Sequence, residues 1–221
     1  MRILLASSKN WFSLEKKLAA QHEVLLVNEA NKLNVPFLEK FQPEIIFFVH
    51  WHWRVPPEIH DNYQCVVFHT APLPYGRGGS PIQNLILDGH TEAPVNALKM
   101  TADIDDGPIY SSQLVSLEGS LNTILRRINV AINSLIEELL FNGLPIPSPQ
   151  IGEPTYFSRR KKEQNLIPNN LELSGVYDRI RMLDDENYPR AYLVVGDYRI
   201  EFHSSQFTGK ELIAKCKIEK C

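Results

Sequence analysis

The chain has 221 residues, a formal net charge of −3 and 22% charged residues. That is the size and balance of one large soluble domain, or of one domain with a small appendage. The negative overall field gives no help in holding a long phosphate backbone, which counts against DNA or tRNA as a partner. No apolar run of about 18 residues occurs, so no transmembrane helix and no membrane association are expected. Residues 1–9 turn polar too soon for a signal peptide. Cys65, Cys216 and Cys221 are an odd number and scattered. They make neither a disulfide framework nor a zinc pair, and a reducing, cytoplasmic compartment is expected.

In chain order, residues 2–6 read as a first buried strand. Residues 12–21, with Phe12, Leu14 and Leu18 among lysines, suit a short helix. Residues 23–28, 44–50 and 65–69 are three more strands, and the run Ile45-Ile46-Phe47-Phe48-Val49 is apolar on both faces, as parallel strands covered by helices are. Ser80-Pro81-Ile82-Gln83 has the residues of a helix start, with Ser80 as cap, Pro81 at the first position and Gln83 completing a capping box. That helix is expected to reach about Gly89. Strands follow over 93–101 and 109–116. Ser120 is placed to cap a long helix whose apolar stripe recurs with a 3.6-residue period from Leu121 to Leu139. Gly143 and Pro145 stop it.

Residues 143–153, with three prolines and two glycines, are the one convincing linker. They divide an expected catalytic domain, 1–145, from a smaller C-terminal subdomain, 146–221. In the latter, Ser174 is placed to cap a helix reaching Leu183. Gly196-Asp197 between two apolar runs is a hairpin signal, and 213–218 reads as a further strand. The fold class is α/β with a mostly parallel sheet, followed by a small α+β unit with a β-hairpin.

Two loops carry chemistry. In the first, His69 ends a buried strand, and a proline- and glycine-rich loop runs from Thr70 to the helix start at Pro81. In the second, Asp103, Asp105 and Asp106 crowd a turn between strands. In open α/β sheets, sites are built at the carboxyl ends of strands. A lone histidine after a strand is more often structural, and Asp and Gly favour turns anyway. Gly76-Arg77-Gly78-Gly79 has neither the P-loop lysine spacing nor the dinucleotide-binding glycine pattern. The residues alone reach a hydrolase or a group transferase. His50 and His52 sit at i and i+2, but no carboxylate or cysteine is placed to complete a metal set, and no metal is expected.

The stretch from about 43 to 112 resembles the formyltransferase family, which includes the methionyl-tRNA, glycinamide ribonucleotide and sugar-nucleotide formyltransferases. His69 matches the family's histidine, Leu73-Pro74-Tyr75-Gly76-Arg77-Gly78 its loop, Pro81-Ile82-Gln83 the following helix, and Ile104-Asp105-Asp106-Gly107-Pro108 its aspartate turn. The resemblance implies a Rossmann-like formyltransferase domain, 10-formyltetrahydrofolate as cosubstrate, and His69 and Asp105 as catalytic residues. It implies a folate pocket at His52, Trp53, Arg54, Val55, Thr101, Ala102 and Asp103. It puts Thr70, Tyr75, Gly76, Arg77, Gly78, Gly79 and Ser80 on the substrate side. One position departs from the pattern: the family's asparagine, two residues before the histidine, is Val67 here. That asparagine helps hold the formyl oxygen. Losing one such donor costs on the order of 100-fold in rate, so Thr70, Ser80 or a backbone N–H at the start of the 81–89 helix is expected to replace it.

The tail, with Arg159-Arg160 and with Tyr188-Pro189-Arg190-Ala191, resembles the C-terminal part of the sugar-nucleotide branch, where arginines meet a diphosphate. The leading expectation is therefore an N-formyltransferase acting on a nucleotide-linked 4-amino-4,6-dideoxy sugar for a surface glycan. UDP is preferred over dTDP. Arg159 and Arg160 are the phosphate contacts, with no nucleic-acid partner. The alternatives are a methionyl-tRNA formyltransferase-like enzyme, a weakly active folate or nucleotide-sugar binding protein, and a formyl-folate hydrolase. The C-terminal hairpins are available to pair across a homodimer, although an edge strand alone does not establish one.

Overall fold

A computed structural model describes residues 1–9 and 14–221. The strands and helices run β1 (Arg2–Ser7), α1 (Glu15–Leu18), β2 (Glu23–Val27), α2 (Val35–Phe41), β3 (Ile45–Val49), α3 (Pro57–His60), β4 (Cys65–Thr70), β5 (Arg77–Gly78), α4 (Pro81–Leu87), β6 (Glu92–Lys99), β7 (Ile109–Ser116), α5 (Leu121–Asn142), β8 (Tyr156–Phe157), α6 (Leu173–Arg181), β9 (Ala191–Val195), β10 (Tyr198–Phe207) and β11 (Leu212–Lys220). Residues 12 and 13 of the helix expected over 12–21 lie outside the described residues; of the rest, α1 covers only Glu15–Leu18, and a turn follows it.

Six strands form the main sheet in the order β2-β1-β3-β4-β6-β7. The first four are parallel to one another, while β6 and β7 join antiparallel. Burial on both faces explains the uninterrupted apolar runs of β1 and β3. Ile3, Leu5, Phe47 and Val49 face α4 and α5, and Leu4, Ala6, Ile46 and Phe48 face the opposite layer with Leu38 and Ile59. A two-residue period thus feeds two cores at once.

Helix α5 buries Leu121, Ile124, Leu125, Ile128, Ala131, Ile132, Leu135, Ile136 and Leu139, which is the stripe its sequence period picks out. The Ser120 side chain accepts from Thr123 N at 3.4 Å, and Gly143 follows the last turn at φ 76°. Helix α2 is not among the elements expected from the sequence. Asn34 caps it by accepting from Phe37 N at 3.0 Å, and Pro36 sits in its first turn.

Two expected caps do not form. Ser174 lies inside α6, which starts one residue earlier after Glu172, and the helix ends at Arg181 rather than Leu183. Ser80 takes φ 51°, so its hydroxyl does not reach the first turn of α4. It accepts instead from Arg160 N at 3.1 Å, and the buried Gln83 amide donates to Met182 O at 3.3 Å. Both side chains hold the C-terminal segment.

That segment ends in a three-stranded antiparallel sheet, β9-β10-β11, with Gly196 (φ 58°) in the first hairpin as expected. The proline-rich linker is tied down: Ile109 and Ser148 exchange backbone hydrogen bonds at 2.7 and 2.8 Å, and β8 pairs in parallel with β5. Burial pushes the Cys65 thiol up to about 12, whereas Cys216 and Cys221 are exposed. A thiol reagent at pH 8 is therefore expected to label two cysteines promptly and the third only on unfolding. Mass spectrometry of the labelled native and denatured chain checks this.

Candidate active site

A cavity of about 1060 Å³ opens beyond the carboxyl ends of β3 and β4. At its base His69 is buried at the end of β4. The imidazole lies between two acceptors: Nδ1 is 3.2 Å from Asp105 Oδ2, and Nε2 is 2.8 Å from Gly76 O. A neutral imidazole has one N–H and serves one of these acceptors, and the doubly protonated ring serves both. The backbone carbonyl of His69 is anchored too. Buried Asn96 donates to His69 O and Ala71 O at 3.3 and 2.7 Å, and Ser112 Oγ in turn donates to Asn96 Oδ1 at 2.6 Å. The histidine is held from its main chain as well as from its ring.

Asp105 takes φ 52°, a left-handed conformation that aspartate tolerates better than most residues. Its Oδ2 accepts from Gly78 N at 2.9 Å as well as facing His69. The turn itself is fixed by Gln150, whose Nε2 donates to Asp105 O and Gly107 O, both at 2.8 Å. Gln150 Oε1 accepts from Arg77 Nε and Nη2 at 3.1 and 2.8 Å, and Arg77 also pairs with Asp106. Gly107 lies against β6: a Cβ there would stand 1.7 Å from Lys99 O. Gly107→Ala is expected to destabilise the chain by about 3 kcal/mol or more, because backbone must move to admit the methyl. A thermal melt checks it.

The structure brings most of the sequence-chosen residues together. His52, Trp53, Arg54, Val55, Thr101, Ala102, Asp103, Thr70, Gly78, Gly79, Ser80, Arg159 and Arg160 line the cavity beside His69 and Asp105. Tyr75, Gly76 and Arg77 do not. The Tyr75 hydroxyl turns outward to Asp88 at 2.7 Å, Gly76 is occupied by His69 and by Thr155 Oγ1, and Arg77 locks the aspartate turn. The glycine-rich loop is glycine-rich for a structural reason. Gly78 has φ 97°, and a Cβ on it would lie 2.7 Å from Phe157 O of the adjacent β8. Val67 lines the cavity and offers it no side-chain donor.

One wall is aromatic. Trp51 and Trp53 meet edge to face with centroids 4.8 Å apart, and the His52 ring lies 3.9 Å from that of Trp53. The indole N–H of Trp51 is buried without a partner. His50 and His52 are engaged, His50 Nε2 with Asn129 Oδ1 at 2.8 Å and His52 Nδ1 with Ser8 Oγ at 2.7 Å. Burial lowers the pKa of His50. Burial, then Arg159 and Lys9, lowers that of His52. Among the described residues no group of three His, Cys, Asp or Glu side chains is placed to hold a metal.

The mouth is cationic. Lys9, Arg159, Arg160, Lys161 and Lys162 line it, and none pairs with a carboxylate among the described residues. Arg160 Nη2 and Arg179 Nη1 both donate to Gln164 O, at 2.7 and 3.4 Å. Arg160 Nε is buried and without a partner, and burial together with Arg179 lowers the pKa of this guanidinium. Gln150 carries no sequence signal, because its role depends on distant partners, the aspartate turn and Arg77.

A methionyl-tRNA formyltransferase from Clostridium thermocellum has a solved structure that superposes with a TM-score of 0.94 at 37% identity, covering 100% of both chains. The chain belongs to the formyltransferase family. Residues 162–219 match the family model of the methionyl-tRNA formyltransferase C-terminal domain. The methionyl-tRNA formyltransferase of Francisella tularensis is 29% identical over 199 residues, 86% of this chain, which spans 63% of that relative's length. The fold alone is shared with the formyltransferase PseJ from Anoxybacillus kamchatkensis, solved in complex with UDP-4,6-dideoxy-4-formamido-L-AltNAc and tetrahydrofolate. That superposition has a TM-score of 0.62 at 19% identity over 74% of this chain and 89% of the other. No helix among the described residues is long and apolar enough to cross a membrane.

Proposed function

We propose that this chain moves the formyl group of formyl-tetrahydrofolate onto a primary amine of a phosphate-bearing acceptor. The observation that carries the reading is the buried His69–Asp105 pair at the base of a cavity whose two other sides are aromatic and cationic. Formyltransferases draw on formyl-tetrahydrofolate, which supplies an activated one-carbon group at the oxidation level of formate. The Trp51–Trp53 wall suits the flat pterin, and the orphaned Trp51 N–H is a donor left for one of its acceptors. Thr101, Ala102 and Asp103 also line the cavity.

His69 would receive the proton that the amine gives up as its nitrogen bonds to the formyl carbon, and would return it to the folate nitrogen as the formyl C–N bond to that nitrogen breaks. To do so its Nε2 exchanges Gly76 O for the amine, while Asp105 keeps hold of Nδ1 and stabilises the charged ring. Charge developing on the formyl oxygen needs donors that Val67 cannot give. Thr70 and Ser80 line the cavity, and Ser80 Oγ accepts from Arg160 N, so its own proton is free to point at an oxyanion. Asp103 and Asp106 are not assigned chemistry, since Asp106 is occupied by Arg77.

For the acceptor, the relatives at 37% and 29% identity favour the methionyl end of methionyl-tRNA. A nucleotide-linked 4-amino sugar is the second reading, and charge distribution favours it. From residue 146 onward there are twelve Lys and Arg against eleven Asp and Glu, so little positive surface extends beyond the cavity mouth. In both readings Arg159 and Arg160 meet phosphate. Arg160→Ala is expected to raise the acceptor KM by about tenfold, the worth of one charge-assisted hydrogen bond, with folate binding unchanged. Steady-state kinetics with each acceptor checks it. An equal KM rise for folate would put these arginines on the folate side instead.

A further inference from the structure

A smaller recess of about 220 Å³ adjoins the main cavity and shares Leu125 and Asn187 with it. Its walls come from α5, through Asn122, Arg126 and Asn129, and from the loop after α6, through Asp185 and Asn187. Asp185 is buried and organises the recess. Its Oδ1 accepts from Asn187 N and Nδ2 at 2.9 and 3.0 Å, and its Oδ2 from Asn122 Nδ2 at 3.0 Å.

This arrangement fixes which way each amide points. Asn122 and Asn187 both turn their NH₂ groups to the buried carboxylate, which leaves two carbonyl oxygens as acceptors. Asn129 is oriented the opposite way: its Oδ1 is held by His50 Nε2, so its NH₂ is left as a donor. Arg126 is exposed and makes no ion pair with a carboxylate among the described residues, so its guanidinium is a second donor. Around the Asp185 carboxylate stand two neutral acceptors and two donors; the carboxylate and the amide oxygens disfavour an anion, and Arg126 disfavours a cation. The set suits neutral hydroxyl groups, each of which donates and accepts at once.

We infer that this recess seats the hydroxyl-bearing ring of a sugar, as part of the acceptor. The inference rests on the formyl-transfer reading and deepens it. The cationic mouth holds the acceptor's phosphate, and Asn187, next to the cavity-lining Tyr188, bridges from there into the recess. Either a nucleotide-linked hexose or the terminal ribose of an RNA supplies such a ring.

Calorimetry on the full chain separates these sources. Tetrahydrofolate is titrated first. Two pairs of probes follow: UDP against UDP-N-acetylglucosamine, and 2′,3′-dideoxyadenosine monophosphate against adenosine monophosphate. The expected result is that the hydroxyl-bearing member of one pair binds about tenfold tighter than its partner. Arg126→Ala, a surface change, should remove that difference with the melting temperature and tetrahydrofolate affinity unchanged. A gain in the first pair assigns the recess to a nucleotide-linked sugar, and a gain in the second assigns it to a terminal ribose. No difference within either pair overturns the inference, as does a difference that survives both Arg126→Ala and Asn187→Ala. Loss of tetrahydrofolate binding alone overturns the formyl-transfer reading instead, and the sugar pairs are then judged by the same criterion without folate.

Discussion

Asp105→Asn is expected to lower kcat for formyl transfer by about 1,000-fold and to leave tetrahydrofolate binding and the melting temperature close to those of the parent chain. The substitution is chosen because asparagine also tolerates the left-handed conformation Asp105 adopts, so the turn survives. Oδ2 faces both Gly78 N and His69 Nδ1, so an amide oxygen in its place still accepts from both. What is lost is the negative charge beside the imidazole when the ring takes up the amine proton. Rapid-quench kinetics with saturating folate reads the chemical step. A kcat within about threefold of the parent would show that Asp105 only shapes the turn.

Gln150→Ala is expected to lower kcat by about tenfold or more while leaving the KM for folate within about twofold. Gln150 comes from the linker, yet it holds two carbonyls of the aspartate turn and the Arg77 guanidinium at once. Without it Asp105 O and Gly107 O lose their donor, and the carboxylate is free to drift from His69. Displacing a reacting group by about 1 Å costs up to 100-fold in such sites. Gln150→Glu is the discriminating variant. It keeps an acceptor for Arg77, removes the donor to the turn and sets a carboxylate against two carbonyls. If positioning is the role, Gln150→Glu fails at least as badly as Gln150→Ala, with kcat and not KM affected. Restored activity in Gln150→Glu would mean that the Arg77 contact alone matters.

Much of the framework was legible because its signals are local. Strand β3 is five consecutive apolar residues buried on both faces, and α5 displays its buried stripe at a helical period over 22 residues. Ser120 and Gly143 mark its ends. His69 and Asp105 were legible as a pair only through the order and spacing of the loop, helix and turn around them. Ser80 and Gln83 have the residue types of a capping box, but the same types serve equally well to grip a distant segment, here Arg160 and Met182. Arg77 sits in the loop expected on the substrate side, yet its partners, Gln150 and Asp106, lie 73 and 29 positions away. Gln150 carries no motif, and its role exists only once the linker is folded back against β7. Side chains whose work is done across such separations leave no periodic trace.

Product mass shows whether a formyl group passes from folate to an amine at His69. The full chain is incubated with 10-formyltetrahydrofolate and, separately, with methionyl-tRNA and with nucleotide-linked 4-amino sugars. The expected result is the gain of one formyl group on the amine of one of these, lost in His69→Ala and in Asp105→Asn. Release of formate without an amine product, or a formylated product that survives both substitutions, would contradict it.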